Sequence, residues 1–184
     1  MVLLAGQSNM VGFGLGFDAA LDGTPDPRIG QWSQAGGRGR IVAAIDPLLH
    51  PGAAARRVGL GLSFARAYIA ARPPGRRILL VPAAVGGTGF ANGRWNPGDD
   101  LFEAALKRTS AALAAAPNAC LAAILDALAH LADTVPRTVD VSADGLTGNP
   151  GDKIHFDAAS QRILGRRYFE ALRTLLPAPR AAKP

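Results

Sequence analysis

Three short apolar runs constrain this chain most: residues 2–5 (VLLA), 77–82 (RILLVP) and 120–125 (CLAAIL). Each has the length of a buried strand and is too short for a core helix. Between and after them lie longer segments with apolar residues at helical spacing. Residues 60–72 (LGLSFARAYIAAR) form one, stopped by Pro73 and Pro74. A second runs from a cap at Asp99 or Asp100 to about Ala116, a third covers 127–134, and a last one, capped by Asp157, covers 158–176. Residues 138–142 (TVDVS) alternate like a further strand. Strands that alternate with helices predict an α/β fold with a mostly parallel sheet. Residues 12–57 are rich in Gly, Pro and Asp, hold no period, and are expected to form one long loop with short helical turns. So long a loop in a compact domain is more often functional than not. With 184 residues, the chain is expected to be one domain over 1–176 with a frayed tail at 177–184.

Composition narrows the function classes. Hydrophobic residues make up 48% and charged residues 18%, which fits a globular chain and not a disordered one. The single cysteine, Cys120, excludes an intrachain disulfide and a multi-thiolate zinc site. No His-x-x-x-His or clustered ligand set is present, so no metal is expected. No apolar stretch approaches the ~18 residues of a membrane span. The net charge of +6 comes mainly from arginines scattered in pairs (Arg56 and Arg57, Arg76 and Arg77, Arg166 and Arg167). There is no basic run of five, so a solvated surface is expected and no nucleic-acid partner. The start has no basic segment and too short an apolar run for a secretory signal, which makes the cytoplasm the default expectation. A leader already removed would leave the same sequence.

Ligands of an open α/β sheet gather beyond the carboxyl ends of its strands. Three informative loops follow expected strands and should converge there: those after Gly6, Ala83 and Ser142. In the first, Gly6-Gln7-Ser8-Asn9-Met10 places Ser8 at a turn, where its Oγ and its N–H can both point outward. On the residues alone Ser8 fits a turn serine or helix cap as well as a nucleophile. A nucleophile needs a base, and there are three histidines. His50 lies in the long loop and His130 within a helical pattern. His155 follows a glycine-rich turn, with Asp152 three residues before it. That spacing lets the carboxylate reach Nδ1 and leave Nε2 free to accept a proton. The alternative is a turn aspartate beside a surface histidine. In the second loop, Gly86-Gly87-Thr88-Gly89 can turn backbone N–H groups toward an oxyanion, or simply form a flexible turn.

Taken together, GQSNM near the start, Gly-Gly-Thr in the middle and Asp152-Lys153-Ile154-His155-Phe156-Asp157 near the end resemble the SGNH hydrolase superfamily. The branch they resemble most is the sialate O-acetylesterase and acetylxylan esterase group of carbohydrate esterases. Residues 61–65 (GLSFA), Trp95 with Pro97 and Gly98, and Gln161-Arg162 with Leu164-Gly165 fit the same pattern, so the resemblance runs from Leu4 to about Leu172. It implies a three-layer α/β/α sandwich with a flavodoxin-like sheet order. It also implies a serine esterase that removes acetyl groups from a carbohydrate through an acetyl-serine, without metal or cofactor. By that resemblance Ser8 is the nucleophile, His155 the base and Asp152 its orienting acid. The N–H groups of Ser8 and of Gly86 or Gly87 are the oxyanion donors. Gln7, Asn9 and Trp95 stand at the substrate, Trp95 either as a wall of the sugar site or as a packing residue beneath the loop.

The pattern departs in one place. The family carries a Gln-Gly-Glu block after the third strand, whose glutamine is a further oxyanion donor. Here residues 121–125 run directly into Asp126-Ala127-Leu128-Ala129-His130, which resemble a later segment. The sheet is therefore expected to be short of one strand and helix. Losing one oxyanion donor costs about 2.7–4 kcal/mol of transition-state stabilisation. Three accounts are open: this sequence omits a segment, the chain is a truncated, weak or inactive carbohydrate-binding relative on the same fold, which is the alternative function, or Gln7 or Asn9 supplies the missing donor. A nucleotide-binding reading of Gly12-Phe13-Gly14-Leu15-Gly16 lacks the third small residue, since position 17 is Phe17.

Overall fold

The computed structural model describes residues 1–125 and 138–176. Five strands form one mixed sheet: β1 (Val2–Ala5), β2 (Ile29–Ser33), β3 (Arg40–Ala43), β4 (Ile78–Pro82) and β5 (Ala122–Leu125). Their order is β3-β2-β4-β1-β5, with only the β2–β3 pair antiparallel. The helices are the short α1 (Ser8–Val11), α2 (Leu60–Ala70), α3 (Asp100–Ala115) and α4 (Ala158–Leu175).

Strand alternation sorts the layers. Ile78 and Leu80 of β4 point into the larger core, with Val2 and Leu4 of β1, Phe64 and Ile69 of α2, and Leu164 and Phe169 of α4. Leu79 and Val81 point the other way, against Trp32 and Ala112 of α3. Helices α2 and α4 thus cover one face and α3 the other, which makes the expected α/β/α sandwich. Both central strands are apolar on both sides because both faces are buried.

Two expectations are corrected. The segment 12–57 is not a single loop: it contains β2 and β3, joined by a 3₁₀ turn at Ala35–Gly37. The pattern was masked because Gln31 lies buried in β2, where its amide donates to Ala43 O (3.2 Å) and accepts from Leu49 N (2.8 Å). A polar side chain with both ends satisfied can sit in a core strand. Residues 138–142 pair with no strand among the described residues. Arg167 instead donates to Ser142 O and Asp144 O, holding this stretch against α4. The three strands expected from the sequence stand in the order β4-β1-β5, the second-first-third order of a flavodoxin-like sheet, and the β2–β3 pair extends the sheet beyond β4. The expected helix at 127–134, with His130, and the tail at 177–184 lie outside the described residues.

Candidate active site

The carboxyl ends of β1 and β4 are neighbours, and the two loops that leave them are tied together. Ala83 N donates to Leu4 O (2.9 Å) and Val85 N to Gly6 O (3.0 Å). After β1 the chain turns at once into α1, whose first residue is Ser8. Ser8 is 4% exposed. After β4 the chain turns through the diglycine. Gly86 comes close to the serine: a methyl group on it would lie 3.8 Å from Ser8 Cβ and 3.6 Å from the Phe13 ring. Gly87 faces open space with φ +71, so it serves the turn. No hydrogen bond within the described residues takes the N–H of Ser8, Gly86 or Gly87.

The turn around Gly86 is braced from below. Thr88 donates its hydroxyl to Val85 O (2.7 Å) and accepts from Trp95 Nε1 (2.9 Å). Asn92 accepts from Gly89 N and donates to Gly87 O. Trp95 is buried against Ala5, Ala83 and Ala105. It packs beneath the loop, which supports the packing alternative.

The third piece arrives from residues 147–157, just before α4. Asp152 accepts from His155 Nδ1 (2.6 Å) through Oδ2, and from the backbone N–H groups of Ile154 (2.8 Å) and His155 (3.2 Å) through Oδ1. These bonds, the Ile154 amide first and the His155 ring next, lower the Asp152 carboxyl to about 2. It therefore stays ionised, fixes the proton on Nδ1, and leaves Nε2 as the free lone pair. The His155 ring stacks on Phe13, with centroids 4.9 Å apart. Phe13 is the side chain that approaches Gly86, so base and diglycine turn share one aromatic neighbour. No hydrogen bond joins Ser8 Oγ to His155 directly in this structure.

Asn9 ties the nucleophile turn to the loop of the base. Its Nδ2 donates to Ile154 O (3.2 Å), and its Oδ1 accepts from Phe156 N (3.1 Å) and Gln161 Nε2 (3.3 Å). One of its two N–H donors is thus taken within the protein. Gln7 is half-buried, its carbonyl accepting from Met10 N and Val11 N. Phe13, Asn149 and Gln161 are the neighbours that sequence reasoning passed over as site residues. Nothing in an isolated sequence marks Phe13 or Asn149, since each matters through contacts more than 130 residues away. His50 is no second base. It is buried, its Nδ1 accepts from Ala84 N (3.0 Å), and burial, helped by nearby Arg108, lowers it to about 3. Among the described residues no cluster of His, Cys, Asp and Glu could hold a metal ion, and no helix is long and apolar enough to cross a membrane.

Residues 1–126 match the family model for carbohydrate esterases described as sialic acid-specific acetylesterases, which is more than half of the chain. The chain belongs to this family. The matched part of the chain includes Ser8 and the diglycine turn, whereas Asp152 and His155 lie beyond it. Among solved structures the chain is similar to a protein from Arabidopsis thaliana, with TM-score 0.76 and 23% identity over 94% of this chain and 97% of that one. At that identity the likeness concerns the fold. It is also similar to NanS, with TM-score 0.57 and 25% identity over 67% of this chain and 52% of NanS. It thus spans about half the length of NanS. No curated protein matches this chain.

Proposed function

We propose that the chain is a serine esterase that removes acetyl groups from a carbohydrate, a sialate or xylan-type O-acetyl ester, through an acetyl-serine intermediate. The observation that carries this reading is the Asp152–His155 couple, 2.6 Å between Oδ2 and Nδ1, packed through Phe13 against the turn that brings Gly86 to Ser8. Ser8 Oγ attacks the acetyl carbonyl carbon while His155 Nε2 takes its proton. The carbonyl π electrons move to oxygen, and that oxyanion accepts hydrogen bonds from the N–H groups of Ser8 and Gly86. Collapse of the tetrahedral intermediate breaks the bond to the sugar oxygen, which leaves with the proton from His155. Water then attacks the acetyl-enzyme by the same route and releases acetate. Gly86 suits the donor role better than Gly87, because it is the one in contact range of the serine. The hydroxyl–imidazole hydrogen bond closes when substrate arrives, as catalytic hydrogen bonds often do.

The Gln-Gly-Glu block is not found after β5, which favours one second reading: a relative that binds carbohydrate and turns it over weakly or not at all. Hydrolysis of p-nitrophenyl acetate and labelling by a serine-directed phosphonate separate the two. The esterase reading expects turnover, an adduct on Ser8, and loss of both in Ser8→Ala and His155→Ala. Turnover that persists in Ser8→Ala overturns it. Sugar binding without turnover or label establishes the second reading. Acetate release from acetylated sialic acid against acetylated xylan then assigns the sugar.

A further inference from the structure

We infer that Asn9 and Asn149 form a reciprocal clasp that sets the base against the nucleophile, so that both are positioning residues for the esterase proposed above. Each asparagine stands on one of the two loops and grips the backbone of the other. Asn9 follows the nucleophile and binds Ile154 O and Phe156 N, the groups on either side of His155. Asn149 stands on the base loop and is 6% exposed. Its Nδ2 donates to Phe13 O (2.9 Å) and its Oδ1 accepts from Leu15 N (2.8 Å), on either side of Gly14. Its backbone N donates to His155 O (2.9 Å) and its carbonyl accepts from Asp152 N (3.0 Å).

Four side-chain hydrogen bonds therefore join two segments about 140 residues apart. The orientation of each amide is dictated by its partners. Turning the Asn9 amide over would set its NH₂ against two donors, Phe156 N and Gln161 Nε2. Gln161, fully buried on α4, holds Asn9 in the required sense. Turning Asn149 over would oppose donor to donor at Leu15 and acceptor to acceptor at Phe13. The clasp also holds the Phe13 ring on the His155 ring, because Asn149 carries the Phe13 carbonyl. With no direct bond between Ser8 Oγ and His155 in this structure, the separation of the two reacting groups is fixed through these backbone contacts.

This inference rests on the esterase reading for its catalytic consequence and on geometry alone for the coupling of the loops. Both are measured in the full chain with Asn9→Ala, Asn149→Ala and, as a control, Arg167→Met, which loses two comparable bonds to residues 142 and 144. The first readout is kcat and KM on p-nitrophenyl acetate. The expected loss is roughly 10- to 100-fold in kcat with KM nearly unchanged, because misplacing a reacting group costs rate more than binding. The second readout is amide hydrogen exchange of residues 13–15 and 154–156. Each asparagine variant is expected to speed exchange in both segments, and Arg167→Met in neither. Should Asn9→Ala not fold, Asn9→Asp keeps the acceptor for Phe156 N, loses the donor to Ile154 O, and is read by the same two quantities. An active wild type with unchanged kcat in both asparagine variants overturns the positioning role. Exchange confined to the mutated side overturns the clasp. A wild type without turnover or label overturns the esterase reading instead, and the exchange pattern still decides whether the two loops are coupled.

Discussion

Asp152 gathers three hydrogen bonds within four residues of chain, and with them it holds its charge, the His155 tautomer and the shape of the turn. This economy is visible in the sequence, since an aspartate three residues before a histidine can close such a turn wherever the backbone curls. The fate of Trp95 was not visible. A tryptophan beside a glycine loop suits a sugar platform and a packing residue equally, and its burial supports the second. Its one polar contact, Nε1 to Thr88 Oγ1, continues through Thr88 to Val85 O, next to Gly86. Trp95→Phe keeps the ring and removes that contact, at a cost of about 1 kcal/mol for the lost hydrogen bond. The expected result is a loosened diglycine turn. kcat should fall in parallel on p-nitrophenyl acetate and on an acetylated sugar, with KM for the sugar unchanged. A sugar platform would give the opposite: a raised KM for the sugar ester alone.

At the scale of elements, α4 determines where the base stands. Its cap is Asp157, two residues beyond His155, which accepts from Ser160 N (2.7 Å) and from the Thr147 hydroxyl (2.6 Å). Helix α4 lies so close to α2 that Gly165 has backbone where a side chain would begin. A methyl group there would lie 2.3 Å from Leu60 O and 2.8 Å from Phe64 N. Alanine in a helix gains about 1 kcal/mol over glycine from propensity. Forcing a methyl into packed backbone costs typically 1–3 kcal/mol or more. The second effect wins, so Gly165→Ala is expected to lower stability in a urea melt, with its midpoint moved down. An equal or higher midpoint would show that the helices part freely. The helices and central strands were legible because both periods are clean there: β1, α2, β4, α3 and α4 lie within two residues of their expected bounds. The β2–β3 hairpin was not, because its strands carry Gly30, Gln31 and Arg40 where an apolar alternation would stand. The stretch 138–142 misled in the opposite sense. It alternates well, yet the described sheet offers it no partner, and pairing needs a neighbour as well as a pattern.

For the whole molecule, the mixed sheet sets β1 beside β4 and thereby lets two loops far apart in sequence meet, with the last helix delivering the third. On the same side of the chain's connectivity, the segment after β3 buries a carboxyl. Asp46 is 3% exposed, and neither oxygen has a hydrogen-bond partner of normal geometry. Burial, with nearby Asp22, raises it to about 8, against the opposing pull of Gly59 N–H, Arg66 and Arg162. An unfolded aspartate titrates near ~3.9. Between those values the folded chain holds a proton that the unfolded chain has lost, so this group's stabilising contribution falls as pH rises through the window. His50 acts in reverse. It is lowered to about 3 when folded, against ~6.5 when unfolded, so its contribution grows as pH rises through that range. The two slopes oppose one another from about pH 4 to 6.5; above that the Asp46 slope, at most about 1.4 kcal/mol per pH unit, is opposed by the Met1 amine, which burial lowers below its usual range. Urea melts across pH 5 to 9 should therefore show a plateau to about 6.5 and then a decline toward 8. In Asp46→Asn, which is neutral and nearly isosteric, stability should instead rise toward pH 6.5 and show no decline to 8. A wild-type profile level between pH 6.5 and 8 would mean that the buried carboxyl is ionised already at the lower pH, compensated by Arg66 and Arg162.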